Sequence, residues 1–378
     1  MKRGGAVSLA VLLLAAPAVA RAEDRKPVEF GATYVTDVLS NVDGGIRRGT
    51  VWLGRGDVTA SVDGSVFGID GAELFVDVLA VQRPDFSGRY VGDAQTVSNV
   101  QANSAIRPYE AWIGVPVTRN LFAKAGLIDL NTEFDIQSVG KIFLNSSFGI
   151  GPDFSQSGVN GPSIFPAPAT AAMIRYKANG WTGRLGVFDA VAGSASDPRR
   201  TVLRLPGVRG ALLVAEVERK MGHVEVQLGA WHYTTRFDAL DPGATRGTSQ
   251  GAYALVEGEI AKHGTGSLHG WVRIGAASDR VNPIGLYLGG GALWHDGPSQ
   301  IGLAFAHARL GDPARRNLFA PGMADSAETA IELTYARKIL PGVTAQPDMQ
   351  YVINPGWAPG LGNALVAGVR FSFAIPAE

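Results

Sequence analysis

The strongest constraint on this chain is a repeated period-two alternation of apolar and polar residues. Val343, Ala345, Pro347, Met349 and Tyr351 interleave with Thr344, Gln346, Asp348 and Gln350. Near the end, Leu365, Ala367, Val369, Phe371 and Phe373 interleave with Gly368, Arg370 and Ser372. Successive side chains of a strand point to opposite faces, so each such segment has one apolar side and one wet side. No apolar run is long enough to cross a bilayer as a helix, which takes ~20 residues. Repeated along an exported chain, the pattern fits an all-β fold: a transmembrane antiparallel up-and-down β-barrel with hydrocarbon outside and water inside.

Export is read from the first residues. Lys2 and Arg3 precede an apolar run from Ala6 to Ala16, and Ala20-Arg21-Ala22 before Glu23 places small residues where a signal peptidase reads. The expectation is a signal peptide over residues 1–22 cleaved after Ala22, with cleavage after Ala20 as the alternative, and a single barrel over 23–378. Removing 22 of 378 residues leaves 356, ample for one large all-β unit. Removing Lys2, Arg3 and Arg21 from 34 basic residues leaves 31 against 34 acidic ones, a balance that argues against nucleic-acid binding. The absence of cysteine excludes a disulfide scaffold and thiolate metal sites.

The 49 glycines and 21 prolines suit many turns between short strands. Alternation recurs at Val58 to Val62, Leu74 to Val78, and Tyr109, Ala111, Ile113 and Val115 against Glu110 and Trp112. It returns through Leu121 to Leu127. Short turns then separate strand pairs at Asn179-Gly180, Lys220 to Gly222, Lys262 to Gly266, Asp296-Gly297-Pro298 and Pro341-Gly342. Longer irregular stretches cover Asp85 to Arg107, Asn145 to Thr170, Val191 to Gly207, Arg236 to Gly251, Gly311 to Glu328 and Asn354 to Asn363. Tight turns alternating with long loops are what an outer-membrane barrel shows. At ~10 residues per strand plus loops, the chain holds about 16 strands, with 16–18 as the range. A cylinder of that size leaves an aqueous channel.

A secreted sandwich gives the same alternation, because the apolar face then meets a core instead of lipid. Two features favour the barrel. The opposite face carries charge on strand after strand, and Trp181, Trp231, Tyr233, Trp294 and Tyr335 stand near strand ends, where interfacial girdles belong.

Three segments carry a more specific likeness. They are Tyr90-Val91-Gly92-Asp93-Ala94-Gln95 with Val97-Ser98-Asn99, Phe143-Leu144-Asn145-Ser146-Ser147-Phe148-Gly149, and Glu328 to Tyr335 running on to Gln346-Pro347-Asp348-Met349-Gln350-Tyr351-Val352-Ile353-Asn354-Pro355-Gly356. With these, the chain resembles the carbohydrate-selective porin family of the OprB type from about Phe30 to Phe373. The resemblance implies a sugar-permeable barrel of about 16 strands in the outer membrane of a Gram-negative bacterium. Its partners would be small carbohydrate solutes, outer-membrane lipid and the barrel-assembly machinery. One departure is the ending: Phe373 is followed by Ala374 to Glu378, so Phe371 and Phe373 are expected to serve as the terminal aromatic signal from slightly inside the end.

Passive transport needs no activated nucleophile and no cofactor. It needs polar groups that replace part of the solute's hydration, with rings for sugar C–H faces and charged groups for hydroxyls. Strand parity puts Glu110, Trp112, Lys124, Arg175, Glu216, Glu218, Glu225, Glu257, Trp271, Arg273, Glu332, Asp348 and Arg370 on the wet face as candidate pore-lining residues. Arg273→Glu is expected to change conductance or ion preference and leave folding intact. The segment Asn145 to Thr170 either folds inward to narrow the pore or stays an external loop. Asp129, Glu133 and Asp135 read as a rim charge cluster, with a cation site as the alternative. The six histidines lack zinc-protease spacing, and Gly289-Gly290-Gly291 reads as close strand packing. A general size-exclusion porin and a barrel enzyme remain alternatives, although no Ser and His spacing singles out a catalytic pair. Oligomeric state is left open.

Overall fold

Alternation fixes which face of each strand is apolar, and the turns fix which strands become neighbours. In the computed structural model, which describes residues 27–82, 85–194, 196–197, 199–319 and 323–375, sixteen strands close into one antiparallel barrel in sequence order. The export segment and its cleavage position Ala22 lie outside the described residues. The strands are β1 (Val28–Asp43), β2 (Gly49–Asp63), β3 (Glu73–Gln82), β4 (Ala105–Pro116), β5 (Leu121–Ile128) and β6 (Ala169–Ala178). They continue with β7 (Trp181–Asp189), β8 (Ala211–Met221), β9 (Val224–Phe237), β10 (Gly247–His263), β11 (Gly266–Ala277) and β12 (Ile284–Asp296). The last four are β13 (Ser299–Leu310), β14 (Ala327–Leu340), β15 (Val343–Ile353) and β16 (Ala364–Ile375), and β16 pairs with β1 to close the wall. Two short helices, α1 (Pro152–Ser155) and α2 (Asp312–Asn317), sit in loops.

One end carries tight connections and the other long ones. The Asn179-Gly180 turn has both residues at positive φ, 51° and 78°, which matches the right-handed twist of a two-residue hairpin. At the other end, residues 83–104, 129–168 and 190–210 join β3 to β4, β5 to β6 and β7 to β8. The long stretches are shorter than the sequence reading has them. Ala105 to Arg107 belong to β4, Ala169 and Thr170 to β6, Arg236 and Phe237 to β9, Gly247 to Gly251 to β10, and Ala327 and Glu328 to β14, because these strands extend beyond the residues that alternate most clearly.

Outward positions such as Leu228, Val256, Val272, Leu303 and Met349 are exposed, whereas the alternate positions on the same strands are buried. A β-bulge disturbs this parity on β4. Asp77 faces Glu110 and Val78 faces Pro108, so Tyr109 is the extra residue and both Tyr109 and Glu110 are buried. Tyr109 therefore does not join the apolar outer face. Trp181, Trp294 and Tyr335 stand on the outer face, the last two flanking Ile301 in register. Trp231 and Tyr233 do not join that girdle. They are buried inside, where the Trp231 ring lies flat on Phe154 at 4.9 Å between centroids.

Close packing within the wall uses glycine. A Cβ on Gly291 would fall 2.7 Å from the Trp271 ring, so only a hydrogen there lets that ring lie against β12. The barrel is not hollow throughout. Phe134, Phe143, Phe148 and Phe154, all from the β5–β6 connection, are buried against inward rings of the wall.

Candidate functional site

The β5–β6 connection follows the inner wall for more than half the circumference, and its irregular backbone has polar groups that need partners away from bulk water. The wall supplies them. Glu216 on β8 accepts from the amide of Asp135 at 2.8 Å, and Glu257 on β10 accepts from Ser138 and Val139 at 3.1 and 3.0 Å. Glu332 on β14 accepts from Leu144 and Asn145 at 2.5 and 2.9 Å. Gln227 donates to the Ile136 carbonyl at 3.1 Å and Gln346 to that of Ile142 at 2.7 Å. The β3–β4 connection is held in the same way. Glu328 accepts from Ala94 and Gln95 at 2.8 and 2.9 Å, and Gln350 donates to the Val97 carbonyl at 2.8 Å. The two connections also meet, the amide of Asn99 donating to the carbonyl of Leu144 at 2.7 Å.

Charge pairing completes the attachment. Arg273 on β11 is fully buried and forks between two carboxylates of the connection, reaching Asp135 at 2.7 Å and Asp153 at 2.6 Å. Arg370 pairs with Asp37 at 2.7 Å and donates to the Asn99 side chain at 2.8 Å. Lys124 and Arg175 share Glu133 at 3.1 and 3.3 Å. Asp129 accepts from the Tyr109 hydroxyl and the Asn131 amide, and the amide of Asp129 itself donates to Glu110 at 3.1 Å. Asp129, Glu133 and Asp135 thus go to three different partners inside the barrel, which corrects the rim-cluster reading. Among the described residues no group of acids or histidines is arranged to hold a metal ion.

All thirteen candidates stand on the inward face, yet their surroundings differ. Glu216, Glu257, Trp271, Arg273, Glu332, Asp348 and Arg370 are buried in the wall that carries the inward connections. Trp271 donates its indole N–H to Gln137 at 3.1 Å, and Asp348 accepts from Gln350 at 3.1 Å. Full burial takes Arg273 and Glu332 out of reach of a passing solute and gives them a positioning role instead. The expectation for Arg273→Glu therefore reverses: burial between two aspartates favours a loss of folding. Glu218 is buried and bonded to Arg184 at 2.7 Å, while half-exposed Glu225 pairs with Lys220 at 3.0 Å near the β8–β9 turn. Trp112 stacks on Phe75 at 5.2 Å, with the Lys124 ammonium 3.8 Å from the centre of its ring.

Solvent reaches a different part of the inward face. Arg55, Thr59, Glu73 and Phe75 on β2 and β3, and Phe122, Arg175 and Lys177 on β5 and β6, all keep exposure. The Arg175 guanidinium lies 5.0 Å above the Phe122 ring. Sequence parity missed Asp37, Arg55, Arg184, Gln227 and Glu328, although each obeys the same alternation as the candidates it found.

Burial raises the carboxyls of Asp129 and Asp153 above the usual range, in the second case against the pull of Arg273, and it lowers the Lys141 ammonium. Asp93, in the β3–β4 connection, is pushed up to about 6 by burial, which the Ser87 hydroxyl and nearby backbone amides partly offset. An unfolded Asp with a value of 3.8 has lost its proton before the folded one does, so the folded connection loses stability as pH rises through that window. Amide exchange at Ala94 and Gln95, corrected for intrinsic rate, is expected to be about tenfold faster at pH 7.5 than at pH 5. Asp93→Asn should abolish that difference.

A closed sixteen-strand barrel with exposed apolar residues outside, and a bore narrowed by its own folded-in connection, is the architecture of a porin. The chain belongs to the carbohydrate-selective porin family, OprB family, whose model matches residues 47–374. Among solved structures it is similar to a high-pH structure of Pseudomonas putida OprB, with a TM-score of 0.83 and 18% identity over 92% of this chain and 94% of that one. Similarity also extends to a loop-deleted OmpT of Vibrio cholerae, with a TM-score of 0.55 and 11% identity over 92% and 99% of the two chains. A triple mutant of Rhodopseudomonas blastica porin gives 0.51 and 11% over 92% and 100%. At these identities the likeness speaks for the fold alone. No curated protein sequence matches the chain.

Proposed function

We propose that the barrel sits in the outer membrane of a Gram-negative bacterium, tight turns toward the periplasm, and lets small sugars diffuse through in preference to other solutes of similar size. Family membership carries this reading. The solvent-reached wall supports it, because the rings of Phe75 and Phe122 stand beside the charges of Glu73 and Arg175. Sugar C–H faces pack on such rings while hydroxyls bond to neighbouring charges. Insertion would involve the barrel-assembly machinery, with Phe371 and Phe373 as the aromatic signal.

The test is swelling of liposomes that hold the purified protein. Sugars of equal mass should enter at rates differing severalfold, and charged solutes of that size more slowly. Rates ordered by size alone would replace this reading with a general porin.

A further inference from the structure

The four most exposed large apolar residues among those described are Ile106 at 81%, Leu205 at 75%, Leu203 at 73% and Val208 at 70%. Three of them belong to one strap, residues 199–209 of the β7–β8 connection, and the fourth lies beside the strap's anchor on β4. The strap is tied to the outer side of the wall at β6, where Thr170 shares the outward parity of Ala172 and Ile174. The Thr201 hydroxyl donates to the Pro108 carbonyl of β4 at 2.8 Å, Thr170 of β6 donates to the Arg204 carbonyl, and Thr235 of β9 donates to the Arg209 carbonyl at 2.9 Å. Arg204 pairs with Asp189 at 2.9 Å and fixes the strap to the end of β7.

Over residues 197–209 stand four arginines and one acid, Asp197, whose carboxylate accepts from the backbone amide of Arg199 at 3.1 Å. Asp189 pairs with Arg204 and also attracts Arg209, and no described acid makes a direct ion pair with the exposed Arg199, Arg200 or Arg209. Below the strap, the outer wall of β4 to β9 is hollowed because alanine replaces larger residues at outward positions. Ile113, Ala123, Ala172, Leu185, Ala215 and Ala230 line an apolar depression of about 760 Å³. Ala172 is two residues from Thr170, so the depression opens directly under the strap's anchor on β6.

We propose that this strap and depression form a docking surface for an anionic, phosphate-bearing lipid of the surrounding leaflet. Acyl chains fill the alanine-cut depression and cover Leu203, Leu205, Val208 and Ile106. The guanidinium groups of Arg199, Arg200 and Arg209 take the phosphate, for which their planar donor sets are suited. An apolar strap with unpaired arginines is costly against water but is complementary to the boundary between acyl chains and charged headgroups.

Native mass spectrometry of the full folded protein tests this, with phosphatidic acid, phosphatidylcholine and inorganic phosphate as probes. Phosphatidic acid should bind at least about tenfold more tightly than phosphatidylcholine, and R199A/R200A/R209A should remove that preference while sugar flux stays unchanged. L203S/L205S should weaken both lipids. The proposal is overturned by equal binding of the two lipids, by an intact preference in the triple-arginine variant, or by inorganic phosphate binding as well as the lipid. It is also overturned if the strap variants convert an oligomer to monomers, because the surface would then serve a second copy of the chain. An unchanged unfolding temperature in phosphatidylcholine micelles checks that the variants remain folded.

Discussion

Arg273→Glu should prevent a stable barrel from forming, with the unfolded chain accumulating where the natural one survives purification in detergent. The guanidinium is fully buried between Asp135 and Asp153. A glutamate there would bring three carboxylates together at a fully buried site, and neither aspartate would keep its cation. Removing one partner of a buried pair costs about 3–5 kcal/mol, and reversing its charge costs more. Arg273→Met should be milder, because it leaves two acids uncompensated without adding a third. The measurement is the unfolding temperature of the detergent-solubilised protein. A glutamate variant as heat-resistant as the natural chain would contradict the pairing.

Excising residues 134–148 and bridging the gap with a short glycine linker should instead leave the barrel intact and widen its bore. The strands on either side stay paired in register from Leu121 against Tyr176 to Ile128 against Ala169, so closure does not depend on the excised part. Glu257, Glu332, Gln346 and Arg273 would then face water. Single-channel conductance should rise severalfold and discrimination among sugars should fall to size alone. Conductance equal to that of the natural chain would mean that the narrowing lies elsewhere. A smaller change, Glu332→Gln, sets an amide donor against the Leu144 or Asn145 amide and should cost about 1–3 kcal/mol of the connection's attachment.

Strand parity was legible because it is a local rule: Gln346, Asp348 and Gln350 point inward for the same reason that Pro347 and Met349 point outward. Where the rule gave way, the cause is also local. The bulge at Tyr109 adds one residue to β4 and turns a polar-faced aromatic inward, and nothing in the alternation marks it. Trp231 reads in sequence as a girdle residue near a strand end, but β9 runs on to Phe237, so Trp231 falls mid-strand and its parity is inward. What no local rule carries is the partner. Glu257 reads in sequence as a wall charge facing water, yet it binds amides 118 and 119 residues away. Of the narrowing connection, the sequence marks only Asn145 to Thr170, and that as one of two options; Asp135 to Leu144, whose backbone binds Glu216, Glu257 and Glu332, carry no such signal.

That long reach has a bearing on the order of events during assembly. The amides of Leu144 and Asn145 wait for an acceptor 188 and 187 residues downstream, and the Val97 carbonyl for a donor 253 residues away. Until the hairpins that carry Glu332 and Gln350 are in place, the interior belt lacks those seats. It locks when the final staves take their places, and a stave slipped by one residue turns Glu332 toward the lipid and leaves the belt unseated. The passage through the protein is thus finished by the same step that closes the wall, so a misregistered barrel is also a barrel without its filter.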